Sequence, residues 1–231
     1  MNSKLCTMNS KEYSPCDYVN EVRDNQPKPL TRAFFETLLE DMNVRFLTEK
    51  VREHKPDAEQ YKKQLPGICW QARFGGGLRT DKNAQPTGLF CLDVDYHHEQ
   101  HFKDLCRTEG PEAAWRWAEQ LAHENAEKWA QMQRQQDENP GNLASHPELD
   151  LSIVAIHVSP QNAGVHVVAT CNSLCKSIEE NQARLARLLG TSYDAVCKDW
   201  ARLFFVTPKE NWTYLDSENL FPKNEELKMK N

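Results

Sequence analysis

Apolar residues recur every three or four positions in three parts of the chain, which is the spacing of one face of a helix. The longest of these patterns follows Gly110-Pro111, where proline suits the first turn of a helix. Asn43 is a candidate break within the first pattern and divides it into two helices. The helices predicted in this way cover residues 30–53, 110–139 and 177–189.

Short apolar runs of strand length lie between the helical patterns. In the run 88–96 side chains alternate, so Phe90, Leu92 and Val94 face one side while Asp93 and Asp95 share the other. Further strands are predicted at residues 68–74, 151–158, 165–170 and 202–207. Helices and strands together predict an α/β (α+β) fold.

The ends of the chain are polar and lack either periodicity. We therefore expect an N-terminal arm over residues 1–28, one catalytic domain over 29–216 and a C-terminal tail over 217–231. No apolar run reaches the length of a membrane span, and no secretory signal follows Met1. For this reason we expect no membrane partner. The eight cysteines have no CxxC spacing, which favours free thiols in a cytoplasmic protein without a zinc site or a disulfide framework.

The charge balance limits the kind of nucleic-acid contact. The chain has 28 basic and 34 acidic residues and a formal net charge of −6. A domain that holds duplex DNA without sequence preference is usually basic, so the composition argues against that activity. It does not argue against a metal-dependent activity, because bound cations neutralise carboxylates.

Asp93 and Asp95 are the first candidate site. Two carboxylates at a strand end repel each other unless a cation or a donor lies between them, and oxygen ligands of this kind suit Mg²⁺ or Mn²⁺. The alternative is a pair of solvated acids at the start of a loop. His97 and His101 follow closely, and we interpret this segment as a loop that begins a helix, with metal ligation as the alternative.

Other polar residues stand near the ends of later strands. They are His166, either Asp194 or Asp199, and Arg202. Arg79 follows the triple glycine 75–77, which either lets the backbone approach a ligand or forms a mobile hairpin tip. Phosphoryl transfer requires acids that hold cations and positive groups that hold the triphosphate, and this set contains both.

Three segments in this order resemble the archaeo-eukaryotic primase superfamily: Leu92-Asp93-Val94-Asp95, Ser159 to Val167 with its Gly-x-His, and Asp194 ahead of Ala201-Arg202-Leu203-Phe204-Phe205. Over residues 40 to 216 the chain is similar to the primase-like N-terminal domain of virulence-associated-protein-E-type replication proteins of Bacteroides mobile elements. Residues 65–68, 88–95 and 198–206 carry this closer similarity. The turn Gln161-Asn162-Ala163 is neutral where we expect lysine or glycine in such relatives.

The resemblance implies a primase-like core with an RRM-like mixed sheet flanked by helices, and a DNA primase or primase-polymerase activity that uses Mg²⁺ or Mn²⁺. Asp93, Asp95 and Asp194 (or Asp199) would hold the metal, and Asp93, Asp95, Asp194 and His166 would form the catalytic set. The residues expected at the nucleotide are His166, Ser159, Arg202 and Arg79.

The partners expected from this resemblance are nucleoside triphosphates, a single-stranded or primed DNA template and a helicase domain or protein. Two alternatives from other functional classes stay open. One is a catalytically silent relative that binds nucleic acid or serves assembly, which the acidic composition favours. The other is a metal-dependent phosphohydrolase that uses Asp93, Asp95 and a histidine.

Overall fold

A computed structural model describes residues 13–138, 152–173 and 175–222, which form an α+β fold of the predicted class. The α-helices are α1 (Arg32–Leu39), α2 (Met42–Arg52), α3 (Ala58–Lys62), α4 (Gln100–Thr108), α5 (Pro111–Glu138), α6 (Ile178–Leu189) and α7 (Ser217–Leu220). The strands are β1 (Asp17–Val19), β2 (Lys28–Pro29), β3 (Gly67–Cys69), β4 (Ala72–Arg73), β5 (Gln85–Pro86), β6 (Leu89–Asp95), β7 (Ile153–Val158), β8 (Gly164–Thr170), β9 (Phe204–Phe205) and β10 (Trp212–Leu215).

The described strands form two four-stranded sheets and one short hairpin. The N-terminal sheet has the order β2-β1-β3-β9, the central sheet has the order β10-β7-β8-β6, and β4 pairs with β5. Every pairing is antiparallel, so the expectation of a mixed sheet was wrong. The chain order β6, α4 and α5, β7, β8, α6, β10 follows a β-α-β-β-α-β plan. In the central sheet β8 lies between β6 and β7. Strands β6 and β7 therefore run in the same direction without pairing with each other.

Helix α5 packs on one face of the central sheet through small residues. Ala114, Ala118, Ala122 and Ala126 are each fully buried and recur every four positions, so they form one stripe along the helix. Alanine lets the helix axis approach the sheet closely. Of the larger apolar residues on this helix, Trp129 is buried in the core, while Trp115, Leu121 and Met132 are only partly buried beside the stripe.

The opposite face of the central sheet packs against the N-terminal part of the chain. Leu89 and Cys91 of β6 and Val168 of β8 share a core with α1, α2 and β3. The first predicted helical segment divides at Asp41, which caps α2 by accepting a hydrogen bond from the backbone of Asn43 at 2.7 Å. The break therefore comes at Asp41, two residues before Asn43, where it was expected.

The expected arm and tail both contribute to the core. In the described part of the arm, Tyr18 and Val19 of β1 are buried and β1 pairs with β2 and β3. In the described part of the tail, Leu220 and Phe221 are buried in the same core. The hydrophobic pattern did not indicate these elements, because they lie in polar sequence and each strand or helix is only two to four residues long.

Within the described residues, no helix is both long enough and apolar enough to cross a membrane. Seven cysteines fall in this part of the chain and all are free thiols, while Cys6 lies outside the described residues. Burial raises the pKa of the Cys69 thiol to about 12 and that of Cys91 well above its usual range. These two cysteines therefore act as small apolar residues of the core.

Candidate functional site

One face of the central sheet changes from apolar to polar along its strands. On β6, Leu89 and Cys91 belong to the core, and Asp93 and Asp95 follow on the same face. On β8, Val168 is followed toward the same end by His166. The polar residues form the wall of a cleft of about 320 Å³. The cleft is lined by Glu59, Lys62, Asp93, Asp95, His97, His98, Ser159, Pro160, Gln161, His166, Asp194, Cys197, Arg202, Leu203, Phe204 and Phe205.

Asp93 and His166 face each other directly across β6 and β8. They are register partners, and the Nε2 atom of His166 lies 3.4 Å from Oδ1 of Asp93. The His166 side chain is 6% exposed and that of Asp93 is 23% exposed, so both are largely buried where they line the cleft. Phe204 contacts the His166 ring edge to face at 5.6 Å.

His157 lies behind His166 on β7 and fixes its orientation. Nδ1 of His157 lies 3.2 Å from the carbonyl oxygen of Val158 and 3.1 Å from the hydroxyl of Thr207. A carbonyl oxygen only accepts hydrogen bonds, so Nδ1 carries the proton and Nε2 of neutral His157 is an acceptor. Nδ1 of His166, at 3.3 Å, therefore donates to it. The remaining nitrogen of His166, Nε2, faces the cleft.

A third carboxylate, Asp194, comes from the segment after α6. Its backbone NH donates to the carbonyl oxygen of Asp93 at 2.8 Å, which continues the hydrogen bonding of β6 beyond the strand pairs. The thiol of Cys197 lies between the two acids, 3.4 Å from Oδ2 of Asp93 and 3.5 Å from Oδ2 of Asp194. Buried Gln182 of α6 donates to the carbonyl oxygens of Cys91 and Cys197, both at 2.9 Å, and so ties this segment to β6.

The environment keeps Asp93 ionised. Burial alone would raise the pKa of Asp93, but His166, Cys197 and Lys62 outweigh it and lower the pKa below its usual value. Burial and the neighbouring Asp93 raise the pKa of the Cys197 thiol, so Cys197 is a neutral donor to the carboxylates. Burial, followed by His166, lowers the pKa of His157 well below its usual value, so His157 is neutral.

Two cationic side chains reach the cleft from outside the central sheet. Lys62, at the end of α3, donates to Oε1 of Gln161 at 3.0 Å and lies over the ring of Phe205 at 5.7 Å. The ammonium group thus lies beside the neutral turn in which lysine or glycine was expected. Arg202 donates to the carbonyl oxygen of Val196 at 2.6 Å, and its Nε atom is buried without a hydrogen-bond partner.

The turn before β8 depends on glycine. A Cβ atom added to Gly164 would lie 2.3 Å from the carbonyl oxygen of Val94, so this turn approaches β6 more closely than any side chain allows. Asn162 takes a left-handed conformation with φ of 62° and contacts His123 of α5 at 2.9 Å. Ser159 lies at the start of the turn, on the wall of the cleft.

Asp95, the second acid of β6, contacts two histidines. A 3-10 helix, Tyr96–His98, begins directly after the strand. It places Nδ1 of His97 against Oδ1 of Asp95, and Nε2 of His98 lies 3.6 Å from Oδ2 of Asp95. His101 instead packs on Trp117 at 4.8 Å, so it does not pair with His97 in the way that a helical ligand pair requires.

Two of the residues expected at the site lie elsewhere. Arg79 donates to the carbonyl oxygens of Ala201 at 3.0 Å and Val22 at 2.9 Å, and it lines a separate cavity. Asp199 lines that same cavity, where Arg202 contacts it at 3.4 Å. The carboxylate brought to Asp93 is that of Asp194, while that of Asp199 lies elsewhere.

The donor atoms at Asp93 and Asp194 are suited to a hard divalent cation. Their carboxylate oxygens and the Cys197 sulfur all lie within 4.8 Å of one another. Because Cys197 holds its proton, the ligands on offer are oxygens, which Mg²⁺ and Mn²⁺ prefer. The residues present therefore fit the expected ion.

Reasoning from sequence missed several residues of this site. Lys62 belongs to a short polar helix, and only the packing of the N-terminal sheet brings it to the cleft. His157 lies in the predicted strand 151–158, and its spacing of two from Ala155 puts both residues on one face of that strand. In the structure this is the face that carries His166. Cys197 and Gln182 carry no local sequence pattern that indicates their positions.

We also compared the chain with known proteins. Family models, curated proteins and solved structures provide no match to it. The geometry of the cleft is therefore the basis on which its function is inferred.

Proposed function

We propose that this chain is a metal-dependent nucleotidyltransferase of the primase or primase-polymerase type, acting in the replication protein of a mobile element. The observation that supports this proposal most is the convergence of Asp93, Asp194 and His166 on one cleft with Lys62 and Arg202. Acids that hold cations and positive groups that hold phosphates are the two requirements of nucleotidyl transfer.

The acids have the role of cation ligands. Asp93 and Asp194 would hold Mg²⁺ or Mn²⁺ through carboxylate oxygens, and Asp95 lies on the same wall. When bound, the ion neutralises negative charge on the triphosphate. The proton on Cys197 donates to both acids and helps to hold them in place.

The other side chains have the role of phosphate contacts. Nε2 of His166 points into the cleft because its Nδ1 is held by His157. Nε2 of His166 would contact a phosphate oxygen, and Ser159 offers a hydroxyl from the adjoining turn. Lys62 and Arg202 also line the cleft and supply positive charge.

The proposed partners are nucleoside triphosphates and a single-stranded or primed DNA template, with a helicase domain or protein acting beside this one. The net charge of −6 restricts the template to contacts near the cleft, because the chain as a whole repels phosphate. This favours a template that is engaged locally at its primed end.

A metal-dependent phosphohydrolase is the second candidate function. It is favoured by the contact of Asp95 with His97 and His98, since mixed nitrogen and oxygen ligands are common in metal-dependent hydrolases. In that case the triphosphate would be hydrolysed without transfer to a primer.

The test compares Asp93→Asn and Asp194→Asn with Asp199→Asn, which changes an acid of the same segment outside the cleft. Calorimetry measures Mn²⁺ binding first and dNTP binding second, and a primed template reports extension. We expect Asp93→Asn and Asp194→Asn to lose both metal binding and extension, because an amide lacks the charge that a divalent ion requires. Asp199→Asn should keep Mn²⁺ binding, because its carboxylate contacts Arg202 rather than Asp93.

The outcomes separate the candidate functions. Extension that survives Asp93→Asn contradicts the proposal. Hydrolysis of the dNTP without extension, lost in the same variants, favours the phosphohydrolase. A protein that binds neither Mn²⁺ nor a dNTP is the catalytically silent module.

A further inference from the structure

The segment that follows β6 brings two imidazoles to one carboxylate. One ligand atom each from Asp95, His97 and His98 lies within 4.8 Å of the other two. The contacts run from Oδ1 of Asp95 to His97 and, at 3.6 Å, from Oδ2 to His98. The tight 3-10 turn produces this arrangement, because it turns consecutive histidines back toward the residue that ends the strand.

His97 is held in place by its surroundings. Its ring stacks on Trp115 with centroids 5.8 Å apart and meets Phe102 at 6.3 Å, so the side chain is only 21% exposed. Its Nδ1 atom is buried and makes no hydrogen bond of regular geometry, although the Asp95 carboxylate lies against it. A fixed ring with a lone nitrogen beside a carboxylate is suited to sharing a cation.

His98 leaves the cluster accessible. Its side chain is 68% exposed, and its ring lies 4.0 Å from that of His97. All three residues line the cleft, so an ion between them would have positions free for water or a substrate oxygen. Three protein ligands with open positions are typical of catalytic rather than structural metal sites.

We propose that Asp95, His97 and His98 form a transition-metal site, distinct from the oxygen site at Asp93 and Asp194. Imidazole nitrogen favours Zn²⁺, Co²⁺ or Fe²⁺ over Mg²⁺ and Mn²⁺, and two histidines with one carboxylate are a ligand set that such ions use. The cleft would thus hold two cation sites of different chemistry. This site stands on its own three ligands and does not depend on nucleotidyl transfer.

The alternative is a metal-free cluster in which a histidine cation pairs with Asp95. Such exposed ion pairs contribute little to stability. The two cases differ in their response to a metal ion, because an ion pair binds none.

The test titrates the metal-free protein with Co²⁺ and follows its visible absorption, which reports nitrogen coordination. His98→Gln is the main variant, since His98 is exposed and its replacement disturbs no core packing. His101→Gln is the matched control, three residues along in the same segment and outside the cluster. Thermal unfolding of both variants verifies that they fold.

We expect the unchanged protein and His101→Gln to bind Co²⁺ with the same absorption band. His98→Gln should bind it roughly 10- to 100-fold more weakly, since even changes to the partners of metal ligands have effects of this size. Asp194→Asn should keep the band, and Zn²⁺ but not Mg²⁺ should displace Co²⁺. A band that survives in His98→Gln, or that is lost equally in His101→Gln, overturns the proposal. Either result leaves the test of Asp93 and Asp194 unaffected.

Discussion

His157 and His166 lie opposite each other on β7 and β8, with their rings edge to face and their centroids 4.7 Å apart. His157 also stacks on Trp212 at 4.2 Å, so three neighbouring strands hold the pair. The carbonyl of Val158 determines which nitrogen of His157 is protonated, and this determines in turn which nitrogen of His166 is presented to the cleft.

Replacing His157 should therefore change the protonation pattern of His166. His157→Phe keeps an aromatic ring against Trp212 but removes the acceptor for Nδ1 of His166. We expect the ¹⁵N chemical shift of Nδ1 of His166 to change because this atom loses its hydrogen-bond partner, and nucleotide affinity to fall by about 2- to 10-fold, the equivalent of one neutral hydrogen bond. His157→Gln retains an acceptor and should preserve more of the original shift. An unchanged ¹⁵N shift in His157→Phe would contradict this account.

The buried neutral state of His157 predicts a loss of stability in acid. Its folded pKa lies well below the value of about 6.5 in the unfolded chain, so the unfolded state takes up the proton first as pH falls. Stability from this group is complete above pH ~7.5 and is lower by about 1.4 kcal/mol at pH ~5.5. Urea unfolding at the two pH values should show this loss, and His157→Gln should reduce it. Exposed His101→Gln should not.

Lys62 should contribute to nucleotide binding although it lies outside the central sheet. Lys62→Gln removes a positive charge from the cleft while keeping a polar side chain of similar length. We expect a loss of dNTP affinity of about 10- to 100-fold, the equivalent of one charge-assisted hydrogen bond. Its neighbour Lys63 pairs with Glu59 at 3.7 Å and does not line the cleft, so Lys63→Gln is the matched control. Equal losses in the two variants would indicate a general charge effect.

Gly164→Ala should destabilise the turn that precedes His166. The added methyl group would lie 2.3 Å from the carbonyl oxygen of Val94, which belongs to the backbone and cannot rotate away. We expect a decrease in unfolding free energy of about 1–3 kcal/mol, as for other overpacked sites. Gly76→Ala is a useful comparison, because its methyl group meets nothing within 4 Å and only its positive φ opposes the change. A Gly164→Ala protein as stable as the unchanged one would rule out the close approach.

The sequence predicted local features of the fold well because they depend on local physics. Ser177 caps α6 by accepting a hydrogen bond from the backbone of Glu180 at 3.1 Å, and Gly190 ends the helix in a left-handed conformation. The alternation in β6 likewise placed Asp93 and Asp95 on one face. Each of these features is decided within a few residues.

Features set by distant packing were not predictable in the same way. The sequence predicted a strand at residues 202–207, but it did not indicate that Phe204–Phe205 pairs with β3 of the N-terminal sheet. The pairing of β10 with β7 depends on four half-buried residues in a polar segment, which carry too little hydrophobic contrast to indicate a strand. The choice of Asp194 over Asp199 depends on a backbone hydrogen bond to Asp93, which no side-chain pattern encodes.

The pairing of β3 with β9 has a consequence for the order of folding. Gly67 and Ile68 of β3 find their partners Phe205 and Phe204 more than a hundred residues later in the chain. On the ribosome, β3 must therefore wait with one edge unpaired until most of the chain has been made. Contacts of such long sequence separation form slowly. Lys62 lies shortly before β3 in the chain, and Arg202 lies shortly before β9. The cleft that both residues line is therefore complete only when these two strands have paired.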